Sequence, residues 1–105
     1  MIFISYAWAD ASDTAQLLHQ RLAQAGHNTW IDFERLDLQC CLEEQLRHAI
    51  QTANAFLLIA SPEARRSRWV RFEIACAKQA GIPFVVAPVK NLNFNRSETL
   101  GQSVA

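Results

Sequence analysis

The hydrophobic positions of this chain fall into two alternating kinds of run: short continuous stretches, and longer ones whose apolar residues recur at helical spacing. Ile2-Phe3-Ile4 is apolar without interruption and rich in β-branched side chains, the pattern of a strand covered on both faces, and it predicts a central strand. Ala15, Leu18, Leu22 and Ala25 then mark one face of a helix, with Asp10, Ser12 and Asp13 as capping side chains before it and Gly26 as its stop. Thr29 to Asp32 reads as a second strand, and residues 33–41 as a loop of mixed character without glycine or proline. Leu42, Leu46, Ala49, Ile50 and Ala53 form the stripe of a second helix, with Glu43 and Glu44 in the first turn, where the helix dipole favours carboxylates. Ala55 to Ala60 is the strongest buried-strand pattern. Ser61-Pro62 closes it, because proline has no N–H for a ladder and restricts the residue before it. A third helix is expected over Arg68 to Ala80, capped by Ser67 and stopped by Gly81, and a fourth strand over Pro83 to Pro88. Beyond Lys90 the periodicity fades, and residues 91–105 read as a polar loop or incomplete last helix of the same domain.

Four strands separated by three helices predict an α/β fold on a parallel sheet. With 105 residues, half of them hydrophobic, the chain has enough apolar surface for one core, so a single domain is expected. Ten basic residues balance ten acidic ones, which removes any global attraction to nucleic acid or to an anionic membrane. No apolar run approaches the roughly 20 residues that cross a bilayer. Met1 to Tyr6 has no basic flank and reads as a strand, not as a signal peptide. The three cysteines, Cys40, Cys41 and Cys76, have neither metal-ligand spacing nor an even count, which fits a reducing, cytoplasmic setting and packing roles. His19, His27 and His48 are scattered, and no metal site is expected.

In an open parallel sheet, ligands bind beyond the carboxyl ends of the strands. That edge receives Ser5 and Tyr6 from the first strand, Asp32 from the second and Ser61 from the third, with Ser67, Trp69 and Glu73 on the helix that follows. Trp69 and Glu73 are four apart and share one helix face. Either the indole partly desolvates a reactive carboxyl, or Trp69 is core and Glu73 pairs with an arginine such as Arg66. Trp30 is either core or an aromatic contact, Ser67 a cap or a ligand contact, Asp32 a turn residue or a ligand contact. Arg65, Arg66, Arg68 and Arg71 cluster around the start of the third helix, where its dipole disfavours positive charge. Their counterpart is a pyrophosphate, an acidic protein face, or solvent together with Glu63.

The order of these motifs carries more than any one of them. Phe3-Ile4-Ser5-Tyr6 with Asp10, Gly26 before Trp30-Ile31-Asp32, Ala49-Ile50 before the strand ending at Ser61-Pro62, and Ser67-Arg68-Trp69-Val70-Arg71-Phe72-Glu73 together resemble the TIR (Toll/interleukin-1 receptor) domain family. The resemblance runs over residues 2–89, is closest in kind to bacterial members, and makes residues 1–90 a TIR domain. It implies a flavodoxin-like three-layer sandwich with sheet order 2-1-3-4 and a fifth strand for which this chain offers no clear candidate. It also implies an NAD+ nucleosidase that splits the nicotinamide-ribose bond, releasing nicotinamide with ADP-ribose or a cyclic isomer. NAD+ is then the substrate and no further cofactor is implied. By the same resemblance Glu73 is catalytic, with Ser5, Tyr6, Trp30, Asp32, Ser67 and Trp69 around the substrate. The implied setting is immune or antiphage defence, with activation by self-association of TIR domains and control by a sensor domain or protein. The alternative the family offers is a non-catalytic scaffold for TIR-to-TIR contacts. Two positions depart from its pattern: Ala7-Trp8 follow Tyr6 where several active relatives carry a basic residue, and residues 33–41 lack the usual glycine or proline.

Overall fold

Apolar on both faces, the segment Ile2–Ser5 (β1) occupies the middle of a parallel sheet, paired on one side with Thr29–Trp30 (β2) and on the other with Ala55–Ala60 (β3). Phe84–Pro88 (β4) pairs in parallel with β3 and completes the order β2-β1-β3-β4. The computed structural model describes residues 1–31 and 42–89. Its helices are α1 (Trp8–Gln24), α2 (Leu42–Gln51), the short α3 (Pro62–Arg66) and α4 (Arg68–Ala80).

Strand alternation sorts the core into two faces. Phe3 and Phe56 point to one side, where Leu46, Ala49 and Ile50 of α2 meet Cys76 and Ala77 of α4. Ile4 and Ile59 point to the other, beneath Ala11 and Ala15 of α1, with Leu18 and Leu22 at the margin. The result is the three-layer α/β arrangement and the 2-1-3-4 order that the family resemblance implies.

The register of the sheet also lines up one aromatic ring from each strand. Phe3 stands opposite Trp30 and Phe56, and Phe56 opposite Phe84. Ring centroids are 4.9 Å apart for Trp30–Phe3, 5.6 Å for Phe3–Phe56 and 5.0 Å for Phe56–Phe84. This rank of rings crosses the whole described sheet and contributes cross-strand stacking beyond simple burial. It runs out at β4, where Phe84, Val85 and Val86 are 38%, 50% and 54% exposed. Proline within that strand suits the outermost place it holds among the described strands, where the missing N–H interrupts no central ladder.

Several local expectations are corrected. α1 starts at Trp8 with Ala7 as its N-cap, so Asp10, Ser12 and Asp13 lie inside the helix and not before it. The alanine side chain has no oxygen to offer the first amides; Ser12 Oγ donates to the Trp8 carbonyl at 2.9 Å, and Asp10 serves a different helix. Ala25 is an exposed C-cap and does not continue the apolar face. β2 is two residues long, followed by the buried Ile31. Asp32, the loop 33–41 with Cys40 and Cys41, and residues 90–105 lie outside the described residues. α3 has no counterpart in the sequence reading. Ser61 both ends β3 and caps this helix by accepting from the Ala64 amide at 3.1 Å, with Pro62 in the first turn, where no N–H is needed. α4 has the expected limits: Ser67 Oγ accepts from the Val70 amide at 3.1 Å, and Gly81 closes the helix at φ 69°, a left-handed conformation that glycine adopts without a Cβ clash.

Candidate active site

Ser5 is the last residue of β1 and shares the face of Phe3, so its hydroxyl is directed at α4. There it donates to Glu73 Oε1 at 2.6 Å. Glu73 is 3% exposed and Ser5 1%. A carboxyl withdrawn this far from water needs hydrogen-bond donors, and the Ser5 hydroxyl is one of them. The two residues are 68 positions apart, so the bond depends on the folded sheet.

Above this bond opens a cavity of about 420 Å³ at the carboxyl ends of the strands. The turn from β1 into α1 supplies one wall, from Tyr6 through Ala9. Leu42 and Leu46 of α2 supply apolar lining, Glu63 and Arg66 come from α3, and Ser67, Trp69 and Glu73 of α4 complete it. Trp69 is positioned by a T-shaped contact with Phe72, ring centroids 6.2 Å apart, and by the Arg68 guanidinium 5.3 Å from its ring centre. A largely apolar cavity with aromatic walls and one buried carboxyl is suited to a small organic ligand with a flat ring and polar substituents.

Asp10 fixes the mouth of this cavity. Its carboxylate accepts from Ser61 Oγ at 2.8 Å and from the Glu63 amide at 3.1 Å, which ties the first turn of α1 to the start of α3. One turn along α4 from Glu73 lies Cys76. Burial pushes its thiol above the ordinary value, Arg47 opposes this by charge and hydrogen bonding, and Glu73 and Glu43 add to the rise. A buried thiol held protonated is a packing residue.

Of the residues singled out in the sequence, Tyr6, Ser67, Trp69 and Glu73 line the cavity, and Ser5 underlies it through Glu73. Ser67 is also the N-cap of α4, so both readings of it hold a place in the structure. Trp30 stacks on Phe3 within the core and is not part of the lining. Arg66 bonds to Glu63 at 2.9 Å, while Glu73 is held by Ser5. The sequence reading passed over Trp8, Leu42, Leu46 and Glu63 as cavity residues, and had Arg66 only as one of four clustered arginines with a pyrophosphate among its possible counterparts. Trp8 carried a legible signal, an aromatic residue two places beyond Tyr6; the two leucines resembled ordinary core positions. Among the described residues no group of three or more His, Cys, Asp or Glu is gathered to hold a metal, and no helix is long and apolar enough to cross a membrane.

A family model for the TIR domain matches residues 2–100. The chain belongs to the TIR domain family. This TIR domain is similar in structure to the TIR domain of the Toll-related receptor TRR-2 from Hydra magnipapillata, with a TM-score of 0.70 and 17% identity, covering 94% of this chain and 73% of that one. It is also similar to a metazoan TIR-STING receptor from C. gigas, with a TM-score of 0.72 and 18% identity, covering 88% of this chain and 31% of that larger one. At these identities the likeness is one of fold. A comparison with curated proteins gives no match for this TIR domain.

Proposed function

We propose that this TIR domain is an NAD+ nucleosidase, and that the observation carrying this reading is the buried carboxyl of Glu73, held by Ser5 at the base of a cavity walled by Tyr6 and Trp69. In the reaction, the bond between C1′ of the ribose and the pyridinium nitrogen of nicotinamide breaks. Both bonding electrons go to the nitrogen, so nicotinamide leaves neutral and no acid need protonate it. The ribosyl cation that develops is captured by water, with loss of a proton to solvent, giving ADP-ribose; capture by a nucleophile of the same molecule gives a cyclic isomer. Glu73 supplies the negative charge that stabilises the oxocarbenium-like transition state, one of the tasks glycosidases divide between two carboxylates. The apolar and aromatic walls exclude water from the flat nicotinamide ring. NAD+ is thus the substrate and no separate cofactor takes part. The proposed setting is a cytoplasmic, bacterial-type defence protein, activated by self-association with other TIR domains under the control of a sensor domain or partner.

The test is nicotinamide release from NAD+ at high protein concentration, comparing the native chain with Glu73→Gln, which keeps the shape of the side chain. Removing the charge is expected to lower the rate by about a hundredfold or more. The second reading, a non-catalytic scaffold for TIR-to-TIR contacts, is favoured by Ala7 in place of the family's basic residue and by the apolar exposure of Val85 and Val86 on β4. It replaces the first if the folded, assembled native chain releases no nicotinamide.

A further inference from the structure

We infer that the rim formed by Trp8 and Arg66 binds the adenosine pyrophosphate half of the dinucleotide, and that Glu63 tunes this binding by competing for Arg66. The inference rests on the nucleosidase reading and adds a second subsite to it. NAD+ has two ring systems joined by two phosphates. The base of the cavity offers one buried carboxyl and the apolar walls for one of those ends. The remainder of the molecule, which is anionic and ends in a second flat ring, has to lie along the mouth.

Two side chains at the mouth have the matching chemistry. Trp8 lines the cavity yet is 60% exposed, the largest exposure among the large hydrophobic side chains described. As the first residue of α1 it is anchored beside a turn whose backbone is fixed, since the Ala11 amide donates to the Ala7 carbonyl at 3.0 Å. An indole half in water at the lip of a cavity is a platform on which a purine stacks.

The cation comes from the arginine cluster, and the structure separates its members. Arg68 is placed over the Trp69 ring, and Arg71 donates from Nε to the Arg65 carbonyl at 3.3 Å. Among these four arginines, Arg66 is the one that lines the cavity. Its guanidinium is 75% exposed and pairs with Glu63, 39% exposed, through a bond from Nη1. An exposed pair three residues apart contributes little, so a diphosphate offering two oxygens displaces it readily. The Glu63 backbone is fixed at the start of α3, where its amide donates to Asp10, so its side chain is rooted three residues from Arg66. Its negative charge beside Arg66 competes with the incoming anion and weakens its binding.

The test is isothermal titration of the native chain, Trp8→Ala, Arg66→Ala and Glu63→Gln with ADP, which has the purine and the diphosphate but no nicotinamide-ribose bond. Arg66→Ala and Trp8→Ala should each weaken ADP binding about tenfold, and Glu63→Gln should tighten it about threefold. Opposite signs from the two members of one ion pair are not produced by loss of folding. Absence of ADP binding by the native chain, equal affinity in all four proteins, or a shift of Glu63→Gln in the same direction as Arg66→Ala would overturn the subsite. The outcomes separate from those above. Failure of nicotinamide release with the ADP pattern intact removes the nucleosidase reading alone, whereas release that depends on Glu73 with a flat ADP pattern removes the rim alone.

Discussion

Glu73 illustrates how one residue is held against its own solvation. A carboxyl 3% exposed is costly to bury, and the Ser5 hydroxyl at 2.6 Å is part of what offsets that cost. Ser5→Ala removes the donor while adding almost no volume change, and leaves the carboxyl short of a partner. The expected loss of stability is about 1–3 kcal/mol, read as a lower urea midpoint with an unchanged slope. Glu73 was legible in the sequence because Trp69 and Ser67 precede it in a motif of fixed order on a helix whose caps were also legible. The place of Trp30 was not. Whether a strand residue faces a ligand or a core depends on register with its neighbours, and here register sets Trp30 against Phe3.

Among the elements, α3 is the least self-sufficient. Five residues make little more than one turn, far too few to be helical alone in water, so its existence depends on its ends. Ser61 caps it from within, and Asp10 reaches across from α1 to hold Ser61 and the Glu63 amide. Asp10→Ala should therefore cost about 1 kcal/mol, comparable to the loss of a helix cap, and should raise hydrogen exchange at the amides of α3 while leaving α2 unchanged. The longer helices and the strands were readable from spacing, because each repeats its pattern over several residues. α3 was not, because one turn has no period to read. The start of α1 was misread for a related reason: Asp10 has the chemistry of a local cap, and nothing local records that its carboxylate is engaged by a segment 51 residues away.

At the scale of the molecule, one of the two apolar layers beside the sheet is built around the strands' large rings. Phe3→Ala, at a 1% exposed position stacked on both Trp30 and Phe56, should cost about 3–5 kcal/mol, enough to threaten a domain whose total is of order 5–15 kcal/mol. Phe84→Ala, at the 38% exposed end of the same rank of rings, should cost about 1 kcal/mol, and thermal melts of the two variants compare them directly. The parallel pairing of the sheet has a consequence in time. No two neighbouring strands are joined by a hairpin, so each pairing waits for the helix between them. As the chain leaves the ribosome, Ser5 emerges early and its partner on α4 long afterwards. On the reading proposed above, a copy stopped before α4 therefore carries one wall of the cavity and lacks the carboxyl of Glu73. The wall of the cavity is thus made first, and the carboxyl that the proposed reaction needs is added 68 residues later.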